Sequence, residues 1–158
     1  MPATSITKDA PHRELTQFLS YRVVRLHHAL NAQAVSVLER VAGITLPQWR
    51  VIAMVGSGAA QSSRDIARKS IIDPALISRT VKGLEDRELL TTARENNDRR
   101  VIGLALTPKG RDIYARTLPH MQARQDSLID ALDPSEQDAI FRIFDKLEMA
   151  ADRREFGG

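Results

Sequence analysis

Two short stretches of this chain carry side chains suited to a polyanion. In the first, Ser78, Arg79 and Lys82 fall within little more than one helical turn. A guanidinium can fork onto the edge of a guanine. A hydroxyl can reach a base or a phosphate, and a lysine one turn further on suits a phosphate. In the second, Asn97-Asp98-Arg99-Arg100 places two arginines on a polar turn. Narrow minor grooves concentrate negative potential and attract inserted arginine. Asp98, two residues before Arg100, can hold that guanidinium in an inserting pose. The plainer alternative is that Arg79 and Lys82 only solvate a helix face. The turn would then carry a surface ion pair of little energetic weight.

Those side chains need elements to aim them. Ser62-Ser63-Arg64-Asp65 reads as a capped helix start, with Asp65 returning a hydrogen bond to the cap. That helix is short, Ser63 to about Lys69, and a brief turn follows. Asp73-Pro74 opens the next helix with an N-cap acceptor and a proline at the first helical position. This helix runs to about Glu88, with Ile77, Val81 and Leu84 inward. Ala75, Ser78, Arg79, Lys82 and Asp86 then face outward. Leu90 to Arg94 reads as a strand, residues 95–98 as a turn, and Val101 to Leu106 as an alternating strand. Two capped helices followed by a β-hairpin make a winged helix-turn-helix, whose second helix fits the major groove of duplex DNA. Ser63 and Ala75, at the starts of the two helices, join Ser78, Arg79, Lys82, Asp98, Arg99 and Arg100 as the DNA-facing set.

Helices flank this unit. Apolar residues recur at helical spacing from His12 to about Ala42, with no Pro or Gly between, and Gly43 sits at the C-cap. The near-heptad spacing suits packing on another long helix, in this subunit or in a second one. Leu46-Pro47 opens a second helix, stopped by Gly56 and Gly58. Thr107-Pro108 caps a helix that continues through Leu132, in which Pro119 predicts a kink or a local break. Asp133-Pro134 starts the last helix, with Ile140, Ile143, Phe144 and Leu147 on one stripe. Residues 1–11 read as a mobile arm, and the charged tail after Met149 as a frayed end. The expected fold is mainly α with a small β-hairpin wing. It divides into a helical dimerisation lobe, residues 12–45 and 107–153, and a winged helix-turn-helix lobe, residues 46–106.

The chain has 158 residues and a net charge of +3. Basic residues outnumber acidic ones over residues 1–100, and acidic ones prevail over residues 101–158. Such asymmetry permits nucleic-acid binding without requiring it. There is no cysteine, which excludes a disulfide scaffold, a cysteine zinc finger, an iron–sulfur site and a thiol switch. No apolar run is long enough to span a bilayer and no signal-peptide pattern opens the chain, so a cytoplasmic protein is expected.

The run from Asp98 through Arg100, Leu104, Leu106 and Thr107 to Gly110 resembles the wing signature of the multiple antibiotic resistance regulators, the MarR family. Its pattern is Asp-x-Arg, a short strand, then Leu-Thr-x-x-Gly opening a helix. Ile77 to Glu85 is similar to that family's recognition helix, and Leu46 to Val51 to the start of its second helix. The resemblance covers roughly residues 12–150. Thr80 departs from it, standing where the family often has an apolar residue. The resemblance implies a homodimer in which the first, fifth and sixth helices interlock. Its two winged lobes would meet successive grooves of a pseudo-palindrome. Ser78, Arg79 and Lys82 would face the major groove, and Arg100, steadied by Asp98, would be the wing-tip arginine.

Many of these regulators release DNA when a small, often aromatic, anion binds between the lobes. Here Arg22, Arg25 and His28 on the first helix and Trp49 on the second are the candidate effector residues. A cation pair beside an indole suits a carboxylate on a ring. Alternatively, Arg22 and Arg25 form intersubunit ion pairs and Trp49 is core. His12, His27, His28 and His120 offer no metal-ligand spacing, since adjacent His27 and His28 point to different faces. No nucleophile-base set and no glycine-rich phosphate loop is present, so neither catalysis nor a cofactor is expected. The function expected is a dimeric repressor released by a small ligand. The alternative is a DNA-binding module without small-molecule input, controlled by a protein partner or by its abundance.

Overall fold

The computed structural model describes residues 14–94 and 102–152. A single 3-10 turn, Leu15–Gln17, precedes α1, Leu19–Ala42. Then come α2 (Leu46–Gly56), α3 (Ser63–Lys69), α4 (Pro74–Asp86), β1 (Leu90–Arg94), β2 (Ile102–Leu106), α5 (Pro108–Ile129) and α6 (Pro134–Ala151). The strands pair antiparallel, Leu90 opposite Leu106 and Arg94 opposite Ile102. The arm at residues 1–11, His12, the hairpin tip with Asp98, Arg99 and Arg100, Val101, and the tail beyond residue 152 lie outside the described residues.

Sequence chemistry accounts for most element ends. Gly43 closes α1 at φ +57°, a left-handed conformation that glycine adopts without steric cost. Thr45 and Gln48 form a reciprocal capping box at the start of α2, and Asp133 and Glu136 form another at α6. The Asp133 carboxylate accepts from the Ser135 hydroxyl and from the backbone N–H groups of Ser135 and Glu136. This holds its pKa below the usual carboxylate value.

Two expectations change. The first helix is not continuous from His12. The chain makes i to i+3 bonds from Glu14 to Phe18, and Phe18 is extended before α1 begins. Leu15, Phe18 and Leu19 are exposed, so no packing within the chain holds that stretch to the α period. At Pro119 there is no break, because α5 runs through it to Ile129. Pro119 cannot donate to the carbonyl of residue 115, but both residues are exposed and water can take that bond. Leu132 falls in the turn after α5, which therefore ends earlier than expected.

The core is one apolar cluster. Leu38 from α1, Val51 and Ile52 from α2, Ile66 from α3, Ile77, Val81 and Leu84 from α4, Leu104 and Leu106 from β2, and Ile113 from α5 all belong to it. It runs without interruption from the winged unit into the C-terminal half of α1 and the first turns of α5. The first turns of α1 and all of α6 stay outside it. No residue of α6 is buried.

One backbone approach welds the winged unit to α5. Gly110 lies against the Leu89 carbonyl so closely that an added Cβ would overlap the oxygen. Gly58, at φ +75°, faces open space instead. Gly110→Ala is therefore expected to cost about 3 kcal/mol or more through backbone displacement, and Gly58→Ala about 1–2 kcal/mol through φ alone. Urea unfolding of the two variants checks this order. An equal loss at both positions would contradict the packing described.

Candidate nucleic-acid interface

The helix-turn-helix begins with α3. The Ser62 hydroxyl accepts the Asp65 N–H at 3.1 Å, as the capping pattern predicts. The return bond differs, because Asp65 Oδ2 accepts from the N–H of Gln61 at 3.2 Å and not from that of Ser62. Gln61 is fixed there by its own carbonyl, which accepts from Leu104 N–H of β2 at 2.8 Å. The Asp65 carboxyl is held below its usual pKa, first by the Gln61 bond, then by Ser62, with Arg68 and Lys69 adding to the effect. Lys69 Nζ donates to the Ala59 carbonyl at 2.5 Å and closes the loop between α2 and α3.

Across the turn, Asp73 Oδ1 accepts from the N–H groups of Ala75 at 3.0 Å and Leu76 at 3.1 Å, starting α4. Ile77, Thr80, Val81 and Leu84 are buried along one stripe. Burying a large apolar side chain is worth about 1.5–3 kcal/mol, against roughly 1 kcal/mol for a cap. The stripe and not the cap therefore decides which face of α4 turns outward. Thr80 takes a buried position, as the apolar residue expected there would. Ala75, Ser78, Arg79 and Lys82 are all exposed on the opposite side. Arg79 has no ion-pair partner among the described residues, whereas Lys82 Nζ lies 3.3 Å from Asp86 Oδ1. That i,i+4 pair is exposed and weak, so a phosphate can compete for the lysine.

The wing is fixed to α4 by the Thr92 hydroxyl, which donates to Glu85 Oε1 at 2.5 Å. Leu104 and Leu106 are buried beneath the hairpin, and Ala105 points outward. Ser63 is half-buried at the first position of α3, and Arg64 beside it is exposed. Sequence reasoning passed over Arg64. The available signal was a basic residue next to the cap of the helix that crosses the DNA backbone in this type of unit.

The effector candidates do not assemble. A cleft of about 620 Å³ lies between α1, α2 and the α3–α4 turn, lined by His27, Trp49, Arg50, Ala53, Met54 and residues 70–72. Only Trp49 of the expected set lines it. Arg22 and Arg25 line a separate groove of about 290 Å³ with Leu26 and Ala29. His28 lines neither, because it is His27 that points toward α2; His27 Nε2 lies 2.8 Å from the Asn31 amide nitrogen. Trp49 is also a core residue, 6% exposed and stacked on Tyr114 with ring centroids 6.1 Å apart. Arg50, exposed at the cleft, was not singled out from the sequence. Among the described residues no group of three His, Cys, Asp or Glu side chains could hold a metal ion. No described helix is long and apolar enough to cross a membrane.

Comparison with known proteins bears on this geometry. A family model described as the MarR family matches residues 42–101. The HTH-type transcriptional repressor Mb2911 of Mycobacterium bovis is 23% identical over 129 residues, 82% of this chain and 92% of that protein. A MarR/EmrR family transcriptional regulator from Acinetobacter sp. ADP1 has a crystal structure that superposes with a TM-score of 0.75. It is 25% identical, over 84% of this chain and 94% of that one. BpsR of Bordetella bronchiseptica, whose DNA binding is regulated by 6-hydroxynicotinic acid, superposes with a TM-score of 0.64. It is also 25% identical, over 80% of this chain and 98% of that one. With its buried stripe, outward cationic face and hairpin wing, the chain has the winged-helix fold and is similar to MarR-family transcriptional regulators, most directly over residues 42–101.

Proposed function

We propose that this regulator is a homodimeric repressor that binds a pseudo-palindromic operator and releases it when a small aromatic acid binds. One observation carries the DNA reading. The recognition helix buries Ile77, Thr80, Val81 and Leu84 and leaves Ser78, Arg79 and Lys82 exposed together. In this reading Arg79 reads a guanine edge, Ser78 a base or phosphate, and Lys82 a phosphate. Ser63, Ala75 and the neighbouring Arg64 lie against the DNA backbone, and Arg100, held by Asp98 and beside Arg99, enters the minor groove. Repression follows from occlusion of a promoter, and the Mycobacterium relative is named a repressor.

The dimer reading divides the chain into a helical lobe, residues 12–45 and 107–153, and a reading head, residues 46–106. Its support is apolar surface left without a partner. Phe18, Leu19, Val23 and Leu26 at the start of α1 are exposed, as are Phe141, Ile143, Phe144 and Met149 on α6. An amphipathic helix with no buried residue gains most of its stability from tertiary packing, and a second copy of the same two faces supplies that packing.

The cleft supports the effector reading. Its volume suits a small ligand. Arg50 and His27 offer a carboxylate partners, and Trp49 offers a ring an apolar face. The α3–α4 turn forms one wall, so a ligand that fits only one position of that turn shifts the population away from the DNA-competent one.

Gel shifts with the DNA upstream of the chain's own gene test the interface. Arg79→Ala and Arg100→Ala are each expected to weaken binding about 10- to 100-fold, the range of one good base contact. Lys82→Ala is expected to lower the salt dependence by about one phosphate. Normal binding by both arginine variants would sink the site assignment. Sedimentation tests the assembly: Phe141→Asp with Phe144→Asp is expected to turn a dimer into a monomer, and an unchanged dimer would remove α6 from the interface. A thermal-shift panel of aromatic acids tests the effector. A ligand at a hundredfold excess over Kd adds about 2.7 kcal/mol, a shift of several degrees, which Arg50→Ala should abolish. A flat panel favours a DNA-binding module controlled by a protein partner or by abundance.

A further inference from the structure

We propose that Arg87 is a positioning residue that, together with the Leu89–Thr107–Gly110 joint, sets the angle between the reading head and the helical lobe, and that it acts on DNA recognition without touching DNA. The inference rests on the two-lobe division proposed above. The chain crosses between those parts twice, at residues 43–46 and at residues 106–108. Arg87, the C-cap of α4, reaches both crossings. Its Nη1 donates to Gln48 Oε1 at 3.2 Å, and its Nη2 donates to the Gly43 carbonyl at 3.3 Å. Its own carbonyl accepts from Lys109 Nζ at 3.0 Å.

These partners lie at the joints themselves. Gly43 is the left-handed C-cap of α1, and its carbonyl is one that the helix leaves unsatisfied. Gln48 Oε1 already closes the capping box of α2 by accepting from Thr45 N–H at 3.0 Å. Lys109 stands in the first turn of α5. One residue at the end of the recognition helix is therefore tied to the end of α1, the start of α2 and the start of α5. The side chain makes the first two of these ties and the backbone carbonyl the third.

Direction is the physical point. The apolar core runs through both parts, but apolar attraction is non-directional, so it resists separation far more than small rotation. Hydrogen bonds are directional and set an angle. Arg87 is exposed, so its bonds add little to overall stability. A small rotation is nevertheless magnified at the outer end of α4, and in a dimer it changes the separation of the two recognition helices.

The test uses the full chain, and the absence of cysteine makes labelling specific. Spin labels at Ala59→Cys on the head and Gln122→Cys on α5 report the intrachain angle, with labelled chain diluted into unlabelled. Arg87→Met is expected to broaden the distance distribution about twofold, and Arg87→Lys, which can keep one bond, to broaden it less. Thermal midpoints should stay within a few degrees. A second arm measures affinity for duplexes selected by the unaltered protein, with one base pair added or removed between half-sites. Arg87→Met is expected to bind the selected duplex about 3- to 10-fold more weakly, in keeping with one or two lost directional bonds, and to discriminate less between spacings. Unchanged distance distributions overturn the proposal, as does a uniform loss across all spacings. If the unaltered protein selects no duplex, the DNA reading fails, and the distance distributions alone decide whether Arg87 sets the angle.

Discussion

Gly110 meets the Leu89 carbonyl at a distance that no side chain could share, and much of the molecule is arranged around that approach. Leu89 N–H donates back to the Leu84 carbonyl at 2.9 Å, and Thr107 N–H donates to the Leu89 carbonyl at 3.2 Å. The Thr107 hydroxyl both donates to the Glu88 carbonyl at 2.7 Å and accepts the Gly110 N–H at 2.9 Å. Glu88 adopts φ +59° to make the turn, a cost of about 1–2 kcal/mol for a residue with a side chain. The bond to its carbonyl and the burial of Leu89 and Leu90 on either side of the strand start offset it. The end of α4, the start of β1, the end of β2 and the start of α5 are thus one joint.

The rest follows from the rigidity of that joint. Since α4 is held at its C-terminal end, its buried stripe needs only to roll onto α2 and α3 to fix the outward face. Since β1 begins at the same joint, the Glu85–Thr92 bond suffices to keep the wing in step with the helix. The proposed boundary between reading head and helical lobe is accordingly one in the chain path and not in the packing. Leu38 and Ile113 from the flanking helices sit in the same cluster as Leu84. An effector in the cleft would act against this shared core, which favours small changes of angle over wide opening.

Much of this could be read from the residues, and the failures have a common cause. Caps located the starts of α3, α4 and α5, because Ser62, Asp73 and Thr107 each satisfy local backbone groups, while Leu46-Pro47 marked α2 and alternation marked the hairpin. The same signals placed Ser78, Arg79 and Lys82 outward, since Ile77, Val81 and Leu84 must go inward. The break at Phe18 was not legible, because an apolar period states what a helix would bury and not whether anything is there to bury it. Of the expected effector residues only Trp49 lines the cleft of this chain; Arg22 and Arg25 line another groove, and His27 stands at the cleft where His28 was expected. Rotation about α1 depends on packing against α2, and neighbouring helix positions differ by about 100°. Arg87 carried no local signal at all. Its partners lie 39 and 44 residues earlier and 22 later, beyond the reach of any spacing rule.

The exposed stripe of α6 has a consequence for synthesis. The apolar faces proposed to meet in the dimer are those of α1 and α6, which lie on either side of the whole reading head in the chain. During translation the head can fold around its core before α6 emerges, while the face of α1 waits uncovered. In the proposed dimer, assembly would wait until the reading head is complete, because a ribosome-bound chain exposes the apolar face of α1 early and acquires that of α6 last. Chaperone occupancy on nascent chains should concentrate in that interval, over the first turns of α1 and not over α4.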